Sequence, residues 1–157
     1  MSNSPVTDIT VTYNVALLTV DNLPSNMNLV SQIFNSIALE EINIDMISQA
    51  PPFRGSINLS FSIPSTHLVK AISTLNKFKK DVPNLLIEID SDNTKLSVYG
   101  EKMNNIPGVA AKLYTILAGN GIEIKLITTS EVDISYLISE KDVDRAIEAI
   151  KIEFQLL

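Results

Sequence analysis

Two spacings of apolar residues follow one another along this chain, and the succession occurs twice. Residues 27–48 read MNLVSQIFNSIALEEINIDMIS, and residues 107–128 read PGVAAKLYTILAGNGIEIKLIT. In each segment apolar residues recur first every three to four positions and then every second position, which predicts a helix followed by a strand. Ile44 aligns with Ile124 at an offset of 124 − 44 = 80 residues. The repeat predicts two copies of one small α+β unit, a frame for binding a small molecule.

The first copy is predicted to be a βαββαβ unit that covers residues 14–90. The segment DNLPSN at residues 21–26 has the composition of a turn, because Pro fixes φ while Asp, Asn and Ser bond to nearby backbone. Ser65 is predicted to cap the second helix. Strands are expected at residues 15–20, 42–48, 57–63 and 85–89, and helices at 29–38 and 65–82.

The second copy is predicted to be completed by the N-terminal strand. Residues 95–100, 122–129 and 132–138 read as strands; helices lead to Ala118 and start at Ser139, after which the chain is too short for a sixth element. Residues 6–13 read as a strand that has no place in the first copy. We therefore predict an α+β fold of two ferredoxin-like βαββαβ units, with antiparallel sheets and helices on one face. The first unit is inserted into the second, which comprises residues 1–13 and 91–157.

Composition excludes several classes of function. The net charge of −6 opposes binding to nucleic acid, which needs clustered Lys and Arg. The absence of Cys excludes disulfides, thiolate chemistry and Cys-based zinc sites. No apolar run approaches the roughly 20 residues of a membrane span, and the N-terminus lacks the pattern of a signal peptide. These features predict a cytoplasmic protein that does not bind a membrane.

The candidate chemistry lies in two loops that connect a strand to a helix, at residues 21–28 and 101–108. Each loop leads into a helix N-terminus, where free N–H groups and a partial positive charge favour a carboxylate. Gly108 also permits close approach of the backbone to a ligand. An ordinary tight connection is the alternative for either loop. The candidates associated with the second loop are Asn105, Pro107, Gly108, Val109 and Ser130.

No catalytic constellation is visible. His67 is the only histidine and has no partner nucleophile, and Ser130 has no base within sequence reach. Neither a GxGxxG nor a GxxxxGK[ST] phosphate-binding loop is present. The period-2 spacing of Glu88, Asp90 and Asp92 is more typical of a solvent-facing strand than of a cation site. We predict no catalytic residue, no metal site and no cofactor.

Several motifs resemble the tandem ACT domains of the aspartate kinase regulatory region. In the second unit these are VYGEKM at residues 98–103, PGVAAK at 107–112 and ITTSE at 127–131; FQL at 154–156 resembles the usual ending. In the first unit, LPSNMN at 23–28 and INIDMISQ at 42–49 are similar to the first ACT domain. The run VTDI at 6–9 resembles the segment that follows the kinase domain. The resemblance covers almost the whole chain.

The resemblance implies the nested arrangement, dimers that pair through ACT domains, and feedback control by lysine, threonine or both. It places the effector at the first loop, with Gln49 as a side-chain clamp and the edge of a partner unit completing the site. N–H groups would hold the effector carboxylate, while carbonyl groups and a polar side chain would hold its ammonium. The implied effector residues are Ser25, Asn26, Met27, Asn28, Leu29 and Gln49, with Gly121, Glu123 and Ile124 at the edge of the partner.

The chain departs from the family pattern in both units. Met27-Asn28 stands where many members have Pro-Gly. Ser25 stands where many members have Asp, which removes a charged partner for the effector ammonium. Glu123 stands where many have Asn, and its carboxylate could pair with a lysine side chain. The departures at Ser25 and Glu123 favour lysine over threonine. The kinase domain's N-terminal motif is absent, so the chain is expected to be a regulatory part that acts on an aspartate kinase catalytic domain or subunit.

Other functions are compatible with the same topology. A structural dimerisation module that no longer binds ligand and a free-standing ACT-type sensor are the principal alternatives. An acylphosphatase-like hydrolase would need an Arg in a phosphate-cradling loop, yet Arg54 and Arg145 are the only arginines and lie outside both candidate loops. An RNA-recognition module would need a basic face with central aromatic residues, which 6% aromatic content opposes.

Overall fold

The computed structural model describes residues 4–157 and confirms the α+β class. Residues 1–3, which the sequence assigns to the second unit, lie outside the described part. No helix within residues 4–157 is long and apolar enough to cross a membrane. The strands are β1 (Asp8–Pro24), β2 (Ile47–Gln49), β3 (Ser56–Pro64), β4 (Leu86–Tyr99), β5 (Leu126–Thr129) and β6 (Asp133–Ser139); the helices are α1 (Met27–Leu39), α2 (Leu68–Asn76), α3 (Val109–Gly119) and α4 (Val143–Phe154).

The chain forms two compact units. The first unit comprises Asn14–Asp92, and the second comprises the chain up to Tyr13 together with Asn93–Leu157. The strand order is β2-β3-β1-β4 in the first unit and β1-β4-β6-β5 in the second. The β1–β3, β2–β3, β4–β6 and β5–β6 ladders are antiparallel. Each unit thus has four strands and two helices in βαββαβ arrangement, with the first unit inserted into the second.

The first unit has a core on one face of its sheet. Alternate residues of β1 and β3 belong to this core, and the buried sides of α1 and α2 cover them, so both helices pack on the same face. Phe34 of α1 meets Phe61 of β3 edge-to-face, with ring centroids 5.7 Å apart. The core residues contributed by these four elements are Ala16, Leu18, Val20, Leu23, Val30, Ile33, Ile37, Ile57, Leu59, Phe61, Ile63, Ala71 and Leu75.

The second unit repeats this packing with α3 and α4. Tyr114 of α3 meets Tyr136 of β6 edge-to-face at 6.2 Å, in the place of the Phe34–Phe61 pair. Tyr136 is fully buried, and its hydroxyl has no hydrogen-bond partner within residues 4–157. The principal core residues of β4, β6, α3 and α4 are Leu96, Val98, Ile134, Tyr136, Ile138, Val109, Leu113, Leu117, Val143, Ala146, Ile150 and Phe154.

The strands at both junctions between units are continuous, whereas the sequence predicts separate strands. β1 runs through Asn14, and β4 runs through Asp92. Both residues have left-handed backbone, with φ of 56° and 59°. Asn and Asp tolerate this conformation better than other residues with a Cβ, so the chain turns without leaving the strand. β1 also continues to Pro24, past a register shift between Val20 and Leu23.

Two edge strands are shorter than predicted. The ladder begins at Ile47 rather than at residue 42, and at Leu126 rather than at residue 122. Ile42 and Ile122 are nevertheless buried in their cores. The alternating pattern therefore reflects burial of every second side chain, and strand pairing starts only where β3 or β6 lies alongside.

The helix caps also differ from prediction. Ser65 begins a short 3-10 segment, and Ser139 precedes another; neither makes a side-chain capping bond. α2 ends at Asn76, followed by a 3-10 turn over Lys77–Lys80, instead of continuing to Val82.

Candidate functional site

The first loop leads from β1 directly into α1. The Ser25 N–H donates to Gly55 O at 2.9 Å, which joins this loop to the turn between β2 and β3. The five predicted effector residues here are consecutive: Ser25, Asn26, Met27 and Asn28 are exposed, and Leu29 is half-buried against the first core. The structure therefore brings the predicted backbone groups to an accessible surface.

Asn26 caps α1 and occupies part of this surface. Its backbone is extended, and its Oδ1 accepts from Asn28 N at 3.0 Å and from Leu29 N at 3.4 Å. The Met27 N–H makes no hydrogen bond within residues 4–157. A carboxylate at this helix end must therefore use Met27 N–H or displace the Asn26 side chain. Asn26 directly precedes the apolar helical repeat, and an Asn in this place is a sequence signal for an N-cap.

Gln49 lies at the exposed edge of the same sheet. It is opposite Leu59 in the β2–β3 ladder, and Leu59 is opposite Val20 in the β1–β3 ladder. Directly opposed residues of antiparallel strands share a face. Because Leu59 and Val20 are buried in the first core, the Gln49 side chain lies on the face that also carries α1.

The turn between β2 and β3 presents an aromatic and a cation. Phe53 pairs with Ser56, and Arg54 and Gly55 between them have φ of 50° and 77°. Two successive left-handed residues are typical of a tight hairpin turn. The Arg54 guanidinium lies 5.0 Å from the centroid of the Phe53 ring. The sequence predicts only a loop here.

The second loop leads into α3 and has no side-chain cap. Gly108 is the N-cap, with φ of 89°. The N–H groups of Val109, Ala110 and Ala111 make no hydrogen bonds within residues 4–157. The Val109 side chain is buried in the second core, so only its backbone is available to a ligand. Asn105 and Pro107 are exposed.

Ser130 is engaged in the turn between β5 and β6. Its Oγ accepts from Val132 N at 3.2 Å and from Asp133 N at 3.1 Å, and it donates to the Asp133 carboxylate. The Gly100 N–H donates to Val132 O at 2.9 Å, which joins this turn to the start of the second loop. Ser130 is thus a turn-stabilising residue beside the loop.

The predicted partner edge lies between α3 and β5. Gly121 and Glu123 are exposed, whereas Ile124 is half-buried and packs against the second core. Gly121 and Glu123 line a polar pocket of about 440 Å³ in the second unit. The other side chains that line it were not predicted from the sequence: Lys125 directly before β5, Ser139 at the end of β6, Lys141 and Asp142 in the 3-10 segment before α4, and Arg145 of α4.

Nothing in the described residues assembles a metal site, since no group of three His, Asp or Glu within residues 4–157 is placed to hold an ion. His67 lies in the 3-10 segment before α2.

Comparison with known proteins identifies what this arrangement resembles. A sequence model of the ACT domain matches residues 20–77 and 96–154. An aspartokinase of Bacillus sp. (strain MGA3) is 36% identical over 142 residues, which cover 90% of this chain and 34% of that protein. Aspartokinase 2 of Bacillus subtilis is 32% identical over 142 residues, or 90% of this chain and 35% of that protein. The chain thus spans about a third of the length of these relatives.

Two solved structures match this chain over almost the whole length of both molecules. One is a crystal structure of aspartokinase alpha and beta subunits, with a TM-score of 0.88 and 32% identity, covering 96% of this chain and 99% of the matched chain. Another is the ligand-free regulatory subunit of aspartate kinase from Thermus thermophilus, with a TM-score of 0.87 and 25% identity over 96% and 99% of the two chains.

Proposed function

The chain belongs to the ACT domain family and corresponds to the regulatory region of aspartokinases, and from this we propose that it senses lysine or threonine and transmits the signal to an aspartokinase catalytic domain or subunit. Such feedback would control the synthesis of aspartate-family amino acids. The observation that carries the proposal is the match over 96% of this chain to a chain of similar extent in the aspartokinase alpha and beta subunits. The coupling is expected to be roughly 1–3 kcal/mol, as is usual for allosteric sites.

We propose the first loop and Gln49 as the effector site. Exposed backbone at Met27 supplies an N–H donor, and displacement of the Asn26 side chain would release the Asn28 N–H. The Leu29 N–H would keep its bond to Asn26 O at 3.1 Å. Gln49, on the helix-bearing face, offers both a carbonyl oxygen and an amide, so it can bind an ammonium or a hydroxyl. The uncapped N–H groups of Val109 and Ala110 make the second loop a further candidate for a carboxylate.

A second copy of the chain would complete the effector site. The proposed contribution is the segment from Gly121 to Ile124, in a homodimer that pairs through ACT domains. Glu123 is exposed and has no ion-pair partner within residues 4–157. A carboxylate in that position favours lysine over threonine, since lysine carries a side-chain ammonium.

One observation favours a structural dimerisation module as the alternative. Asn26 already satisfies the N–H groups of Asn28 and Leu29, which an effector carboxylate would otherwise use. A loop whose N–H groups are already bonded in this way needs no ligand to be stable, as expected of a module that only dimerises.

Isothermal titration of the purified chain tests the proposal, with L-lysine and L-threonine added separately and together. We expect saturable binding by a dimer, with the mass measured by light scattering. Gln49→Ala should weaken binding at least fivefold, because it removes a hydrogen bond to a charged group worth about 1.5–3 kcal/mol. Gln32→Ala, an exposed position on α1, is the matched control. A stable dimer that gives no heat with either amino acid would refute the sensor and favour the structural module.

A further inference from the structure

The polar pocket of the second unit has the charges of a binding site in its own right. Its volume of about 440 Å³ lies within the range of roughly 300–1,000 Å³ that is usual for small-molecule sites. Three cationic side chains and two carboxylates line it, so its charged lining sums to 3 − 2 = +1. The whole chain has a charge of −6, and the pocket is therefore a local reversal of the protein's charge.

One pair of charges in the pocket is fixed by the fold. Asp142 is buried, and its Oδ1 accepts from Arg145 Nη2 at 2.6 Å. This pair lies at the start of α4 and neutralises the Asp142 carboxylate. Half of the Arg145 side chain remains exposed, so its other N–H groups can reach a ligand.

The remaining charges come from different elements. Lys125 is half-buried, and its Nζ donates to the fully buried Asn93 Oδ1 at 2.7 Å, which holds the ammonium in place. Lys141 and Glu123 are exposed, and neither has an ion-pair partner within residues 4–157. The pocket therefore presents cations for carboxylates and one carboxylate for an ammonium.

We propose that this pocket binds an acidic amino acid, an α-amino dicarboxylate with a net charge of −1. Lys141 and the outer N–H groups of Arg145 bind one carboxylate, and Lys125 faces the other. Glu123 binds the α-ammonium. Lysine, with a net charge of +1, has the wrong charge for this lining.

The inference goes beyond the proposed sensing of lysine or threonine, although both use Glu123. It concerns side chains of the second unit alone. Occupation of the pocket by an acidic amino acid would compete with a lysine side chain for Glu123.

The test is isothermal titration of the full chain with L-aspartate and L-glutamate at low ionic strength. We expect saturable binding of at least one of them. Lys141→Gln should weaken it at least fivefold, whereas Lys141→Arg should retain it within about threefold. Lys151→Gln changes the same charge outside this pocket and is expected to leave binding unchanged. Succinate, which lacks the ammonium, should bind at least fivefold more weakly than aspartate.

Circular dichroism of each variant establishes that it is folded before titration. If neither aspartate nor glutamate gives saturable heat, the inference is overturned. It is also overturned if Lys141→Gln leaves the binding unchanged. Equal binding of succinate and aspartate overturns the assignment to an amino acid. Separate titrations with lysine and threonine report on the proposed sensor, so failure of one proposal is distinguishable from failure of the other.

Discussion

Glu41 and Gly121 occupy the same position in the two repeats, and both have left-handed backbone, with φ of 57° and 66°. Each follows the C-cap of the first helix of its unit, after α1 and α3 respectively. The Glu41 N–H bonds to Ala38 O at 2.9 Å, and the Gly121 N–H bonds to Ala118 O at 3.0 Å. Both helices thus end in the same motif, but only one has the residue that adopts this conformation without cost.

Exchanging residues at these equivalent positions should change stability in opposite directions. Glu41→Gly should stabilise the first unit by about 1 kcal/mol, because a left-handed residue with a Cβ carries a steric cost. Gly121→Ala should destabilise the second unit by a similar amount. A Cβ at Gly121 meets nothing within 4 Å, so the cost is one of backbone conformation. Chemical denaturation measures both; the same sign for the two substitutions would contradict the shared motif.

Substitution of Asn26 should separate stability from ligand binding. Asn26→Ala removes the cap of α1 and should cost about 1 kcal/mol. The same change frees the Asn28 N–H, while the Leu29 N–H keeps its bond to the backbone carbonyl of residue 26. An effector carboxylate at this site should therefore bind more tightly. Asn26→Asp keeps the cap but places a negative charge there, and should weaken binding while preserving stability. Paired denaturation and titration check this, and unchanged affinity in both variants would place the carboxylate elsewhere.

Removal of the Tyr136 hydroxyl should not destabilise the second unit. The hydroxyl is buried and unpaired, whereas the equivalent edge-to-face pair in the first unit uses Phe61. Tyr136→Phe should raise the free energy of unfolding by up to about 1 kcal/mol, since an unsatisfied buried polar group carries a desolvation penalty. Urea denaturation at pH 7 measures the difference. A loss above that size would indicate a hydrogen bond to the hydroxyl in solution.

The same residue predicts a loss of stability at alkaline pH. Burial, and to a smaller extent the nearby Tyr114, raises the pKa of Tyr136 above its ordinary value. A group whose pKa is raised by folding makes its full contribution to the free energy of unfolding below the unfolded-state pKa, which is about 10 for Tyr. That contribution is lost as the pH rises through the folded-state pKa. Between pH 8 and pH 11 the advantage of Tyr136→Phe over the wild type should therefore grow by about 1.4 kcal/mol. A difference independent of pH would show that Tyr136 ionises as in the unfolded chain.

Gly100 should tolerate no side chain. A Cβ built there lies 1.8 Å from the carbonyl oxygen of Pro5, which belongs to the same unit and is backbone. Gly100→Ala must displace the N-terminal segment and should cost more than about 2 kcal/mol, with Gly119→Ala as the control in open space. Thermal unfolding of the two variants makes the comparison, and equal melting temperatures would contradict the close approach.

The sequence was sufficient for the two-unit fold because periodicity reports burial. The helical spacing of Val30, Ile33 and Ile37 marks the side of α1 that faces the core. The same signal overestimated the lengths of β2 and β5, because Ile42 and Ile122 are buried without belonging to a strand ladder. Strand pairing depends on a neighbour that is distant in sequence, which a local pattern does not contain.

The candidate site was less accessible to sequence reasoning. The first loop could be proposed from the sequence because its composition and position are local features. The pocket was not predicted, because Lys125, Lys141 and Arg145 come together only when the segment before β5 lies beside the N-terminal end of α4. Continuous strands at Asn14 and Asp92 were also missed, since polar residues with left-handed backbone read as turns when taken alone.

The division of β1 and β4 between the units sets an order for folding during synthesis. All strands and helices of the first unit have left the ribosome once residue 92 is free, so this unit can fold while the rest is being made. The strand before Tyr13 is made before the first unit, yet its hydrogen bond from Thr7 N to Tyr99 O must wait for a residue made about ninety positions later. The N-terminal strand therefore keeps an unpaired edge until β4 has been made, and α4 later closes the core of the unit to which that strand belongs.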